Sequence, residues 1–292
     1  MKILLFGGSG QLGWELQRSL APLGELAVAG REVDFAKPEA LKQAVREARP
    51  DVIVNAAAYT AVDKAESEPE LAHAVNAQAP EHLAREAATL GAWLVHYSSD
   101  YVFDGSGHEP RDEGAPTGPL SVYGRSKLDG EERIRASGCR HLIFRTSWVY
   151  AARGGNFART MLRLAGERDS LRVIDDQIGA PTGADLLADI TAHALRSAQR
   201  DEALAGTYHA VAAGETSWHR YACLVIDWAR EQGLPVKVAP GAVEAIPTSA
   251  YPTPAQRPLN SLLSTHKLCE AFGLTLPPWQ SGVRRMLTEA FR

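Results

Sequence analysis

Cysteine is scarce in this chain. Only Cys139, Cys223 and Cys269 occur in 292 residues, and their scatter matches no metal or redox motif. That spacing excludes a disulfide framework and leaves free thiols of a reducing compartment. Long apolar runs are missing as well. Lys2 is followed by four apolar residues before the first glycine, too few for a signal-peptide core, and no stretch approaches bilayer-spanning length. Charge of one sign is equally short: 31 Lys and Arg stand against 35 Asp and Glu, with no basic block, which speaks against a nucleic-acid partner. No repeat or low-complexity tract interrupts the chain. These absences lead us to expect a cytoplasmic protein of one large or two medium domains, with ample material for a core and no membrane partner.

What is present starts at once. Ile3–Phe6 is an apolar run of strand length, Gly7, Gly10 and Gly13 follow it, and Leu12, Leu16 and Leu20 recur at helical spacing. Strand, glycine turn and helix in that order open a dinucleotide-binding unit. Glycine reaches the backbone angles of the turn cheaply and lets a pyrophosphate approach, while the helix start offers free N–H groups. A second strand is expected over Leu26–Ala29. Past it stands Arg31, suited to a ribose 2′-phosphate and hence NADPH or equally to a solvated loop, with Glu32 beside it, suited to the hydroxyls of NADH. Asp34-Phe35 follows; the ring could lie on an adenine or belong to the core. Further strands over Asp51–Asn55 and Trp93–His96 alternate with helices, and Ala58-Tyr59-Thr60 crosses a strand end where open α/β sheets bind ligands.

The strand after Trp93 ends in Ser98-Ser99-Asp100, and Tyr123-Gly124-Arg125-Ser126-Lys127 comes some twenty residues later. On a helix Tyr123 and Lys127 share a face. An ammonium beside a phenol favours the phenolate, which would make Tyr123 a usable acid/base, with Lys127 also holding ribose hydroxyls and Ser99 orienting a carbonyl.

These residues resemble the extended short-chain dehydrogenase/reductases over the whole chain. Within that group, the strings GQLGWELQ, NAAAYTAVDKAE, SSDYVFDG, SVYGRSKLDGE, RTSWVY and DDQIGAPT resemble the dTDP-4-dehydrorhamnose reductases. The resemblance implies a NADPH- or NADH-dependent reductase with a dTDP-sugar substrate. It implies dinucleotide contacts at Gly10, Gln11, Leu12, Asp34, Phe35, Ala58, Tyr59, Thr60, Tyr123 and Lys127, and sugar-nucleotide contacts at Ser99, Asp100 and Trp148. It also matches Glu15, Asp185 and Glu289 to carboxylates that can hold Mg²⁺ at a homodimer interface. Asp185 stands where Glu is usual, and solvated surface charge is the favoured reading. An epimerase or dehydratase, or a non-catalytic regulatory subunit like the beta subunit of methionine adenosyltransferase, would share the fold.

Past Val149 the alternation breaks. Arg153-Gly154-Gly155-Asn156 reads as a loop, with Asn156 facing substrate, and Leu171–Ile174 as a short strand. The proline-rich stretch from Pro247 to Pro258 reads as a long functional loop, with Arg257 at its end as a partner for a diphosphate or a rim ion pair. Ser264 stands where the related pattern has Asp and is expected to cap a helix. The expected architecture is a Rossmann-like α/β fold with a doubly wound parallel sheet and a smaller mixed α/β C-terminal substrate lobe. Residues 1–147 and about 170–199 form the first, and 148–169 with about 200–292 the second.

Overall fold

The computed structural model describes residues 1–30 and 33–291, so Arg31, with Glu32 beside it, lies outside the described residues. Successive βα units build the first half. Strand β1 (Lys2–Phe6) feeds α1 (Gln11–Leu20), β2 (Glu25–Val28) feeds α2 (Pro38–Ala48), and β3 (Val52–Asn55) leads to α3 (Val62–Ala65) and α4 (Pro69–His73). A π turn at Ala74–Gln78 joins α4 to α5 (Ala79–Leu90), and β4 (Trp93–Ser99), α6 (Val122–Ala136) and β5 (Arg140–Thr146) complete the series. Pro38 and Pro69 each open their helix, where a missing N–H costs nothing.

Every pairing in the main sheet is parallel. Its strands are apolar on both faces, as a sheet covered on both sides requires. Ile3, Leu5, Val52, Val54 and Val95 pack toward Leu16 and Leu20 of α1. Leu4, Phe6, Ile53 and Leu94 point the other way, toward Leu41 and Val45 of α2 and Leu83 of α5. The period-2 alternation thus divides the core into two layers, and all the strand C-termini end on one edge.

The second half contains β6 (Val149–Tyr150), α7 (Phe157–Glu167), β7 (Leu171–Ile174), β8 (Ile178–Gly179) and β9 (Thr182–Gly183). After these come α8 (Ala184–Ala198), β10 (Gly206–His209), β11 (Thr216–Ser217), α9 (Trp218–Glu231), β12 (Val243–Ile246), α10 (His266–Phe272) and α11 (Trp279–Phe291). Helix α8 returns to α1, where Asp189 accepts from Ser19 and Arg18. Two strands depart from the expected division. β7, placed with the first domain by its position, pairs with β12 in the lobe. β10, placed with the lobe, pairs with β5 and extends the main sheet to the order β10-β5-β4-β3-β1-β2. Leu268 of α10 is also buried in that sheet's core. The lobe has its own core, centred on Tyr221, Val225, Trp228 and Val283. Ser264 caps nothing: α10 starts at His266, and the Ser264 N–H donates to the Arg111 carbonyl at 2.8 Å. Among the described residues no helix is long and apolar enough to cross a membrane.

Candidate active site

The glycine turn lies at the C-terminal edge of the sheet. Gly7 has φ +79°, and a Cβ there would lie 2.6 Å from the backbone of Ala56 and Ala57. A Cβ on Gly13 would collide with the Gly7 carbonyl oxygen. Gly10 caps α1 without any side-chain bond, so the first-turn amides keep their hydrogens for a ligand. Gln11 donates from Nε2 to the Gly155 carbonyl at 2.8 Å, while its Oε1 is buried with no partner. Leu12 packs against the core. A bare helix N-terminus with an orphaned acceptor beside it fits a dinucleotide. Beyond β2, the exposed Asp34 accepts from the Ala36 N–H at 2.9 Å. Phe35 stands edge-on to Phe6 with ring centroids 5.6 Å apart, so the core alternative describes its packing.

At the end of β3, Ala58 and Thr60 are exposed and Tyr59 is clamped by a residue the sequence did not single out. Asn76, in the π turn, accepts from the Tyr59 N–H at 2.8 Å and donates to the Tyr59 carbonyl at 3.0 Å. It also donates to Ser126 Oγ at 3.0 Å, which in turn donates to the Tyr123 carbonyl at 2.7 Å. One buried amide therefore ties the loop after β3 to the helix that carries Tyr123. π turns concentrate at such sites. The signal was available: Asn76 is a polar residue in an alanine-rich helical stretch.

Ser99 and Tyr123 meet where β4 ends and α6 begins. Ser99 Oγ donates to Asp100 Oδ1 at 2.8 Å and accepts from the Tyr101 N–H at 3.2 Å. Burial pushes the Tyr123 phenol up to about 12; the Ser99 hydroxyl pulls it back and the Asp100 charge adds to the rise. Burial also lifts the Asp100 carboxyl to about 6, against hydrogen bonds from Ser261 and Ser99. The Tyr101 ring stands edge-on to Tyr123 at 5.4 Å. Lys127 departs from expectation. Its Nζ turns inward and donates to the Tyr97 carbonyl at 2.6 Å, with His96 Nε2 at 3.4 Å, rather than lying against the phenol. Helical spacing places the two Cβ atoms on one face, but a flexible four-carbon stem lets a backbone carbonyl capture the amine. Its pKa falls to about 8 through burial, opposed by Glu131.

Across from Tyr101 a cavity of about 930 Å³ opens, lined among others by Phe157, Gln177, Trp218, Tyr251 and Arg257. Trp148 adopts φ +48° and stacks on Trp218, the rings 3.7 Å apart and 16° from parallel. Trp218 Nε1 donates to Gln177 Oε1 at 3.1 Å, so the DDQIGAPT string braces this wall. Asn156 is not free to face a substrate. Its Oδ1 caps α7 through the Arg159 N–H at 3.0 Å, and its Nδ2 donates to the Ala151 carbonyl at 2.7 Å. Arg257 lines the cavity yet forms the rim ion pair, donating to both carboxylate oxygens of Asp63 at 3.0 and 2.7 Å. Glu15, Asp185 and Glu289 border a separate small cavity with Arg18 and Arg285. Burial raises the Glu15 carboxyl, Arg18 opposes, and the other two carboxylates add to the rise. Arg285 sits 3.4 Å from Asp185. Arg18 stands beside Glu15 and Arg285 beside Asp185, and among the described residues no group of three side chains gathers to hold a metal ion. Within a single chain this donor set does not fit Mg²⁺.

A doubly wound sheet with a glycine turn, and a serine–tyrosine pair backed by lysine at the same edge, defines a dinucleotide-dependent oxidoreductase. The chain belongs to the family described as RmlD substrate binding domain, whose family model matches residues 1–291. The dTDP-4-dehydrorhamnose reductase of Salmonella typhimurium is 58% identical over 100% of this chain and 98% of its own. The crystal structure of the Bacillus anthracis dTDP-4-dehydrorhamnose reductase in complex with NADP superposes with a TM-score of 0.89, at 34% identity and 99% coverage of both chains. A Thermus thermophilus UDP-glucose 4-epimerase in complex with NAD reaches a TM-score of 0.81 at 23% identity, covering 99% of both chains, a likeness of fold alone.

Proposed function

We propose that this protein is an NAD(P)H-dependent reductase of the C4 ketone of dTDP-4-dehydro-β-L-rhamnose, giving dTDP-L-rhamnose. The observation that carries it is the meeting of Ser99 and Tyr123 beside the glycine turn, in a chain that matches the reductases from end to end. The NADP held by the Bacillus anthracis relative supports a nicotinamide cofactor here.

A bound nicotinamide would supply hydride to C4, and the side chains do the rest. Tyr123, with its phenol up at about 12, is protonated at neutral pH and gives its proton to the ketone oxygen. That protonation state suits reduction. Ser99 holds the ketone oxygen beside the phenol, exchanging its bond to Asp100 for one to the substrate, and the two hydroxyls stabilise the developing oxyanion. Lys127 would hold the nicotinamide ribose with an amine hydrogen not given to the Tyr97 carbonyl, and the Gly7–Gly13 turn would take the pyrophosphate. Trp148 and Trp218 offer a flat apolar wall for the sugar nucleotide. Arg31 favours NADPH through its 2′-phosphate; an Arg31→Ala protein with an unaltered NADPH-to-NADH ratio of kcat/KM would remove that preference. We place the protein in the cytoplasm, where Cys139, Cys223 and Cys269 stay reduced. A homodimer would show in sedimentation.

The test is NAD(P)H oxidation against a panel of 4-keto-6-deoxy sugar nucleotides, with the dTDP sugar expected to turn over fastest. Nicotinamide that co-purifies and never exchanges would point to an epimerase instead. No turnover with any member of the panel would point to a regulatory subunit.

A further inference from the structure

Behind Lys127, away from Tyr123, a buried polar chain runs through Asn55 at the end of β3 and His96 in β4, each 1% exposed. Asn55 Oδ1 accepts from the Ala57 N–H at 3.1 Å, which fixes the orientation of the amide. Its Nδ2 therefore faces His96 Nδ1, 3.1 Å away. An amide nitrogen only donates, so Nδ1 must be the bare nitrogen and the neutral ring carries its proton on Nε2. That Nε2 lies 3.4 Å from Lys127 Nζ. An ammonium would set donor against donor, whereas a neutral amine has a lone pair to accept. Burial and the neighbouring Lys127 hold His96 well below its ordinary range, so the ring is uncharged.

The other groups around the amine do not reverse this. From β4 comes the Tyr97 carbonyl, which takes one amine hydrogen. From α6 itself comes Glu131, but Arg145 of β5 donates to both of its oxygens and Arg135 to one. Tyr123, on the same helix, is neutral at these pH values.

We propose that Asn55 and His96 are a positioning pair that biases Lys127 toward the neutral amine in the cofactor-free site, so that in alkaline solution cofactor binding draws in a proton. The second half rests on the reading of Lys127 as the ribose contact. The balance is simple: the amine takes one proton from solvent as the ribose hydroxyl oxygens offer it acceptors, and no other bond changes.

Two measurements test it. In ¹⁵N-histidine spectra of the cofactor-free protein, His96 should show the Nε2–H tautomer unchanged from pH 6 to pH 9. An Nδ1–H tautomer or a titrating ring would overturn the proposal without reference to any cofactor. The second measurement is the Kd for NADH, whose own groups do not titrate here, from pH 6 to pH 10. The wild type should weaken about tenfold per pH unit above an inflection near the Lys127 value of about 8. Asn55→Asp keeps the Ala57 bond but accepts from Nδ1–H, turning a bare Nε2 toward the amine. Its inflection should rise by at least one unit. In Asn55→Asp with His96→Phe that rise should shrink by half or more. An equal rise in both variants means the new carboxylate acts alone and His96 only fills space, which sinks the proposal. A wild type that binds no NADH overturns the cofactor reading and the coupling, while the tautomer is still decided by the spectrum.

Discussion

The two walls of the cleft are built on different principles. On the sheet side Lys127, Asn76 and Ser99 are buried and each is held by a backbone group: Lys127 on the Tyr97 carbonyl, Asn76 on the N–H and carbonyl of Tyr59, Ser99 under the Tyr101 N–H. On the lobe side the elements are a stacked indole pair and Arg257, which reaches across to Asp63 of α3 in a partly exposed ion pair. Fixed donors suit chemistry, because charge that develops in a reaction is best met by dipoles that need not move. Stacked rings and an exchangeable ion pair suit recognition of a large substrate. Loss on the sheet side should therefore fall on kcat, and loss on the lobe side on KM.

The sharpest contrast comes from Tyr123→Phe, which keeps the ring against Tyr101 and removes only the proton. Turnover should fall at least a hundredfold, within the ~10²–10⁴ range of a positioned general acid, with cofactor affinity unchanged. Turnover within threefold of wild type would mean that another group gives the proton. Gly13→Ala should come next. Its Cβ has no room against the Gly7 carbonyl, so the turn must open. Strain of about 1–3 kcal/mol would weaken dinucleotide binding some ten- to a hundredfold. A calorimetric Kd matching wild type would show that the turn has slack.

Asp100 tests how much strain the sheet side stores. Its carboxyl rises from 3.8 unfolded to about 6 folded, so folding favours the protonated form. That contribution is fully present below pH 3.8 and is lost as pH rises through about 6. At about 1.4 kcal/mol per unit, the loss is on the order of 3 kcal/mol. Asp100→Asn should lack this pH dependence, visible as a flatter denaturation midpoint between pH 4 and pH 7. Parallel curves for the two proteins would show that Asp100 is not strained.

The same division explains what could be read in advance. Where a strand feeds a helix and both bury one face, period and glycine spacing suffice, and the βα units of the first half with their glycine turn followed from them. Period does not name a strand's partner. Leu171–Ile174 and Gly206–His209 are both four residues long, and nothing in either shows that the first joins the lobe while the second extends the main sheet. Polar side chains within regular elements were missed for a related reason. Asn76, Asn55 and His96 have partners 17 to 50 residues away, so their roles appear only once the chain is folded. Asn156 was misread because a loop asparagine facing substrate and one capping a helix look alike in sequence.

The smallest expected effect concerns Arg257, which lines the cavity but is engaged by Asp63. The side chains are 23% and 42% exposed, so the ion pair stabilises the fold by no more than about 1 kcal/mol. If Arg257 serves a substrate diphosphate, it must first leave Asp63, and the ion pair competes with binding. Asp63→Asn keeps the shape, weakens that hold, and should lower KM for the sugar nucleotide by up to about fivefold, the equivalent of ~1 kcal/mol. Arg257→Ala should raise KM with kcat nearly unchanged, because the guanidinium touches neither Tyr123 nor Ser99. In the double variant the Asp63 gain should vanish, since nothing remains to be released. Should KM stay put in both single variants, the pair is only a strap between loop and helix, and the diphosphate must find its charge elsewhere on the wall.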